Sequence, residues 1–467
     1  MNRLIFILAL LLLPFPLRGA CHTVTVAGSG SHTGADWNNA YAGIPATLTR
    51  GDTYYLADGS YPVYTFNTAV SGTTTAEIRK AQTYDHCTDT GWNAGTMGSA
   101  QAVFRHASPP SFEVSASYFT LNGNGQQTSP GCGVSVGATP TSEPSTPSDC
   151  GIRIDNTLCT SGSSDACDNP LHVDSGVTHF TMEYLEGVGN GINNSERGFF
   201  GFYGGGNATN AYFSGSHLFG RNAGCVYFVW TSNNWSVTES YFWLTNTDIA
   251  DDCHPQYSLT ESNTSNGVEA NNVYRDINGS SVFSFVSPAG TNTGWTYYNN
   301  VFWFTSGGAY ATSGLDDGIV GNLNGATLTG MTFVQNTAIN IYGAASGFYP
   351  GIYTSSTIQN NLWYLGAATP GMGGATGTLG YNSFLGTVSC ASGTANVCDA
   401  SPPNPFVSWT TGNFNLASEN SDWNNRFPLG SPYTTDPNGT TRTTDRGAYQ
   451  SAVTPPAPPA SLFIIVR

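Results

Sequence analysis

Charge is what this 467-residue chain has least of: Asp, Glu, Lys and Arg make up 9% of it, against about a quarter in an average globular domain. Coiled coils and exposed helical bundles need abundant Glu, Lys and Arg on their solvent faces, so the composition argues against both. Lysine occurs once, at Lys80, and there is no basic run. With a formal net charge of −16, the chain repels polyanions at long range, so nucleic acid is not an expected partner. Helical periodicity is nearly absent. So are Cys-x-x-Cys and His-x-x-x-His spacings, and serine-nucleophile, phosphate-loop and dinucleotide motifs in a useful context. Long apolar runs are missing too, apart from Leu4 to Leu13.

That run follows Asn2-Arg3 and is broken by Pro14 and Pro16 ahead of Gly19-Ala20. It is too short to span a bilayer and fits a signal-peptide core, so residues 1–20 are expected to be removed near Ala20. The mature chain is then secreted, extracellular or at the cell surface, with no transmembrane segment. Cys21 raises lipidation as an alternative, although Arg18 stands where that signal wants Leu. Ten cysteines suit an oxidising compartment. Pairing would join Cys21 with Cys87, Cys132 with Cys150, Cys159 with Cys167, Cys225 with Cys253 and Cys390 with Cys398, though sequence alone does not fix connectivity.

What the chain does have is self-similarity. Val268-Glu-Ala-Asn-Asn272-Val-Tyr274 is followed by Thr296-Tyr-Tyr-Asn-Asn300-Val-Phe302 and Thr332-Phe-Val-Gln-Asn336-Thr-Ala338. Thr357-Ile-Gln-Asn-Asn361-Leu-Trp363 and Thr378-Leu-Gly-Tyr-Asn382-Ser-Phe384 continue the series, and weaker copies centre on Ser216 and Ser240. The anchor recurs at intervals of roughly 21–36 residues, a floor with variable excess that a β-solenoid coil with bulging loops produces. The flanking residues alternate with period two and are rich in Thr, Val, Ile, Tyr and Phe. The spacing predicts an all-β, right-handed single-stranded parallel β-helix whose coils read turn, first strand, turn, second strand, Asn turn, third strand. A β-sandwich or propeller would show two-residue hairpin turns at closer spacing.

Gly51-Asp-Thr-Tyr-Tyr-Leu-Ala-Asp-Gly-Ser-Tyr61 resembles the opening coil of secreted β-helix proteins of the pectate-lyase and chondroitinase-B type. Asn438-Gly-Thr-Thr-Arg442 with Asp445-Arg-Gly-Ala-Tyr449 is similar to the closing motif of many bacterial β-helix surface proteins. The resemblance covers roughly residues 25–450 and specifies architecture rather than activity. The expected organisation is a β-helix over 21–452, then a Pro-rich linker and tail over 453–467, as a monomer. In pectate-lyase-like proteins the substrate groove lies beside the first sheet, so the resemblance implies a polysaccharide partner there.

First strands are expected at Phe199–Tyr203, Val226–Trp230, Gln256–Thr260, Val282–Val286 and Ile319–Asn322. The loops entering them would carry Glu196 and Arg197, then Arg221, then Asp248, Asp251, Asp252 and His254, then Arg275 and Asp276, then Asp316 and Asp317. Two nearby carboxylates can split their pKa values into an acid and a base or nucleophile, which makes Asp248, Asp251 and Asp252 hydrolase candidates. Asn246-Thr-Asp248 and Asp251-Asp-Cys253 look like two polygalacturonase-type motifs. Here they share one loop, and that family's His-Gly and Arg-Ile-Lys motifs are missing, so its assignment is not carried over. A lyase would use Arg221, Arg275 and His254 to neutralise a uronate and take its proton, but the mid-chain Lys of the chondroitinase-B pattern is absent. Ca²⁺ on Asp251, Asp252 and Asp276 is a third reading, and turn-capping Asp a fourth. Tyr203, Tyr227, Trp230 and Tyr257 on the first strands could stack on sugar faces, with Tyr227, Trp230, Tyr257 and Arg275 as the substrate-binding set. His172, His179 and His217 are expected to be structural. A glycoside hydrolase or polysaccharide lyase and a non-catalytic glycan-binding or structural surface protein both fit.

Overall fold

The alternation of small β-branched and aromatic residues with turn-forming Asn and Gly folds the chain into short strands that pair only with strands one coil away. The structure is a computed structural model. It describes residues 19–451 except 106–109, 128–129, 134–148, 159–169, 175, 189–197, 203–211, 222–225, 231–233, 244–253, 260–264, 278–280, 287–290, 306–317, 324–326, 342–347, 349–351, 367–373, 387–390 and 425. The expected signal peptide and C-terminal tail lie outside the described residues.

The strands stack into three long parallel sheets, wound as a right-handed parallel β-helix. The first sheet has 8 strands, the second 13 and the third 12. A small three-stranded sheet (Thr291–Thr293, Thr327–Thr329, Ile352–Thr354) fills the turn between the first and second sheets in the later coils. Among the described strands, one pair alone is antiparallel, Phe406–Ser408 with Asn413–Leu416. The expected first strands are found at Gly198–Phe202, Val226–Trp230, His254–Leu259, Phe283–Val286 and Val320–Leu323. No described helix is long and apolar enough to cross a membrane.

Inward columns of rings fill the solenoid. Phe242, Tyr274 and Phe302 stand in register on the third sheet with successive centroids 5.6 and 5.4 Å apart, close to the stacking distance that coil spacing imposes.

The turn from the second to the third sheet is a ladder of amides. The main-chain N of Asn272, Asn300, Asn336, Asn361 and Asn382 donates to the side-chain oxygen of the Asn one coil on, ending at Asn396, over 2.9–3.0 Å. Each of those five side chains also donates back to a carbonyl of the preceding coil. The residue before each ladder position takes a left-handed conformation, with φ from 51 to 58° at Asn271, Asn299, Gln335, Asn360, Tyr381 and Ala395. This turn lets the next strand leave at an angle, at some steric cost to a side chain with a Cβ. Ser240 continues the ladder by accepting from the main-chain N of Leu218. The ladder position in that coil is therefore Leu218 and not Ser216, because Ser216 pairs with Thr238 inside the second sheet.

The outer face of the third sheet is apolar and covered. Tyr241, Trp243, Val301, Trp303, Leu362 and Leu385 lie under a C-terminal strap that brings Phe406, Phe414, Leu416 and Trp423 against them. The motif around Arg442 and Arg446 fastens the strap. Arg446 donates to the carbonyl of Asn382 at 2.9 Å, and Arg442 to Asn299 Oδ1 at 2.6 Å.

Cys21 bonds to Cys87 and Cys132 to Cys150, with Cα separations of 5.7 and 5.1 Å, inside the usual disulfide range. The Cys21 sulfur is thereby taken, which leaves no thiol for lipidation. Cys398 is disulfide-bonded. The expected Cys159–Cys167 and Cys225–Cys253 bridges lie outside the described residues.

Candidate functional site

The loop expected to carry Asp248, Asp251 and Asp252 lies outside the described residues, as do Glu196, Arg197, Asp316 and Asp317. His254 opens a first-sheet strand, paired with Val226, rather than ending the loop before it. Tyr227 and Trp230 share the strand Val226–Trp230, and Tyr257 sits one coil on, in register with Val229. Trp230 is in register with Ser258 and, one further coil on, with Phe285, which is buried in the core.

Arg221 and Arg275 are not in loops at all. Each ends a third-sheet strand, and the column reads Arg221, Trp243, Arg275, Trp303. The Arg275 guanidinium is sandwiched between two indoles, 3.9 Å from the Trp243 centroid and 4.7 Å from that of Trp303, and donates to Tyr241 Oη and Asp276. At 7% exposure it serves the packing of the third sheet, away from the first sheet. Asp276 is also buried, and its oxygens accept from Thr305 N, Thr305 Oγ1 and Arg275. Burial pushes its carboxyl up, against the pull of Thr305 and Arg275. Those oxygens are already spent on donors, so Asp276 does not fit the Ca²⁺ reading, and no metal-holding group of His, Cys, Asp or Glu exists among the described residues. Asp251 and Asp252 are untouched by that test.

The open polar surface that the structure does describe is the outer face of the second sheet in the early coils. Alternation along Ala76–Lys80, Phe119–Asn122 and His179–Glu183 turns every second residue outward. Register then stacks Glu77, Thr120, Thr181 and Ser214 in one column, and Arg79, Asn122, Glu183 and Ser216 in the next. Just before them stand Tyr118, His179 and Tyr212. The Tyr118 and His179 rings stack at 4.3 Å, and His179 tilts against Tyr212 at 5.0 Å. His179 is thus an exposed-face residue, and its desolvated imidazole is pushed down from the usual value. Two depressions of about 380 and 350 Å³ lie side by side here and share Thr75, Thr120 and Thr181 in their walls. One is walled by the rings, the other by the charges.

The charged end is a chain of contacts along the helix axis. Arg79 donates to Glu77 at 2.8 Å and to Asp85 at 2.7 Å. Burial works against its charge, but these carboxylates outweigh it and push its pKa up. Asn122 Nδ2 donates to both Glu77, at 3.3 Å, and Glu183, at 2.9 Å. Among the described residues Asn122 is the one donor to the carboxylate of half-buried Glu183, whose main-chain oxygen accepts from Gly123 N at 2.7 Å. Burial first and the Glu77 charge second push the Glu183 carboxyl up, against the pull of Arg79 and His217. One coil further, His217 contacts Glu239 at 3.0 Å and holds its carboxyl low, while the Tyr184 ring stacks on His217 at 4.5 Å.

None of Glu77, Arg79, Asn122 or Glu183 was singled out by the sequence reading. The signal available was the shared polar–apolar alternation of three strands, AEIRK, FTLN and HFTME. Large insertions between those strands hide the period.

No protein-family model matches the chain, and no curated protein is recognisably similar in sequence. Among solved structures, the crystal structure of pectate lyase Pel9A matches with a TM-score of 0.53 at 14% identity, over 92% of this chain and 96% of that one. At that identity the likeness concerns the fold: the chain is built as a right-handed parallel β-helix like that of pectate lyase Pel9A.

Proposed function

We propose that this protein is exported and binds a polysaccharide laid along the axis of its second sheet. The observation that carries the reading is the ring column of Tyr118, His179 and Tyr212 opening onto columns of Thr and Ser hydroxyls. The rings turn their faces to one another and leave their edges and polar ends toward the depression, and hydroxyls spaced by one coil, about 4.8 Å, repeat polar contacts along an extended polymer. Tyr212 is 54% exposed, so its ring is not needed for the core. Tyr118 holds a left-handed φ of 61°, a strained choice at a position where Asn234 and Asn266 serve later coils. Two described disulfides support an oxidising compartment. The net charge of −16 and the carboxylates of the groove favour a neutral glycan over a polyuronate.

Affinity electrophoresis on neutral glycans and on polygalacturonate tests this. Neutral glycan should retard the protein, and Tyr118→Ala or Tyr212→Ala should each weaken retardation about 3- to 10-fold. Unchanged retardation in both variants, or binding to polygalacturonate alone, would refute it. A non-catalytic binder and a cleaving enzyme would both use this groove.

A further inference from the structure

We propose that the export leader is cut between Gly19 and Ala20, and that the new α-ammonium of Ala20 becomes the counter-charge of Asp52. This rests on the export half of the reading above. The sequence alone places the cut near Ala20, and a cut after Ala20 would leave Cys21 first. Two structural observations and the peptidase's own preference put it one residue earlier.

First, the second sheet takes hold of the chain at Ala20. The Ala20 carbonyl accepts from Thr53 N at 3.0 Å, and Ala20 N donates to Asp52 Oδ1 at 2.8 Å. From Cys21 onward the strand runs in register with Thr53–Leu56, and the Cys21–Cys87 bridge pins it. Gly19 makes no hydrogen bond among the described residues. It crosses the turn at Gly51 so closely that a Cβ would stand 1.6 Å from the Gly51 carbonyl oxygen. A cut after Ala20 discards two bonds of the first strand, and a cut before it discards neither.

Second, Asp52 sits in a place made for a cation. Its side chain is 12% exposed, and its second oxygen lies 2.9 Å from His22 Nε2. Among the described residues no lysine or arginine contacts it. Arg50, two residues away, gives its guanidinium to the carbonyls of Thr68, Ala69, Ser117 and Tyr118. A carboxylate drawn out of water is costly unless charge meets it. A peptide N–H meets Asp52 with a dipole. A free amine at the same atom meets it with a full charge, in a stronger bond and without moving the chain.

Leader peptidases read small, uncharged residues one and three places before the cut. A cut after Ala20 puts Arg18 at the outer place, whereas a cut after Gly19 puts Leu17 there. The peptidase adds one water across the Gly19–Ala20 bond. The water hydroxyl goes to the Gly19 carbonyl carbon and its proton to Ala20 N, which then takes the proton released by the new Gly19 carboxyl.

The full chain is produced in an exporting host, and the exported protein is analysed by intact mass and N-terminal sequencing. Ala20 is expected as the first residue, with no lipid mass. The chain holds one lysine, Lys80, which is fully buried, so acylation of the native protein reads the α-amine. Asp52→Asn should speed that acylation about 3- to 5-fold, the worth of a partly screened ion pair. The wild-type mass decides the cut even where the variant does not fold. A first residue of Cys21, lipid on Cys21, or an acylation rate that Asp52→Asn leaves unchanged would overturn the proposal. A chain still beginning at Met1 would instead sink the export reading, and the cut with it.

Discussion

Asn336 offers the sharpest test of the coil architecture. It is 1% exposed. Its Oδ1 accepts from Asn300 N at 2.9 Å and Asn300 Nδ2 at 3.1 Å, and its Nδ2 donates to Tyr297 O at 3.0 Å and Asn361 Oδ1 at 3.2 Å. Asn336→Ala leaves the buried Asn300 N–H without an acceptor, at about 1–3 kcal/mol, and removes further bonds worth about 0.5–1.5 kcal/mol each. A net loss of about 3 kcal/mol is expected. Asn396, at the partly buried end of the ladder, should lose about 1 kcal/mol on the same change, because water reaches the groups it leaves.

Asn336→Asp keeps the shape but turns a donor into an acceptor, aimed at Tyr297 O and Asn361 Oδ1. Its carboxyl would be driven up by burial and by those oxygens. A folded pKa above the unfolded value gives stability that is fully present below the unfolded pKa of about 3.9 and lost as pH rises. The variant should therefore sit about 4 kcal/mol below wild type at pH 7 and recover most of that near pH 4, where the protonated acid can donate to Tyr297 O. Guanidinium transitions by tryptophan fluorescence at both pH values, with slopes compared, measure this. The reasoning fails if the alanine variant lies within 0.5 kcal/mol of wild type, or if the aspartate variant is destabilised equally at both pH values.

Two further outcomes follow from buried charge. Lys80, the one lysine of the chain, is fully buried and donates to Asp58, Ala81 O and Met97 O over 2.7–2.9 Å. Burial pushes its ammonium down to about 8 against the pull of Asp58. Acylating reagents should spare it in the native state, and Asp58→Asn should cost about 3–5 kcal/mol, most of it recovered in the Asp58→Asn, Lys80→Met double variant; native labelling at Lys80 or a loss under 1 kcal/mol would contradict this. Glu269 is buried behind Asn272 and Tyr274, and burial holds its carboxyl well above the usual range. Its contribution to stability is complete below the unfolded pKa and falls as pH rises, so wild type should lose ground to Glu269→Gln between pH 5 and 8, with a slope of up to about 1.4 kcal/mol per unit. Parallel denaturation profiles for the two proteins would count against it.

What the sequence made legible was whatever a solenoid must repeat identically. An amide ladder demands Asn at one backbone place in every coil, so Asn272 to Asn382 stand out. Where the ladder runs into Ser240 and Leu218 the amide is gone, and the pattern slips by two residues to Ser216. Asn396 escaped because its coil is the shortest, 14 residues after Asn382. Arg275 was misplaced for a different reason. The aligned tripeptides Tyr241-Phe-Trp243, Val273-Tyr-Arg275 and Val301-Phe-Trp303 put it between two indoles, whereas the charge pattern alone assigns it to the loop entering the next first strand.

The groove was hidden because its columns gather residues of different chemistry. Nothing in Arg79, Asn122 and Glu183 repeats, and the register that joins them is fixed by the apolar column beside them, Ile78, Leu121 and Met182. A fold built on identical coils advertises its core and conceals its sites, since a site is where successive coils must differ. The same logic says where to look in other solenoids. Inward columns should be aligned first, and the outward columns they carry should then be searched for the rung in which polar side chains of different chemistry meet on an open face. In this chain that column runs through Arg79, Asn122 and Glu183.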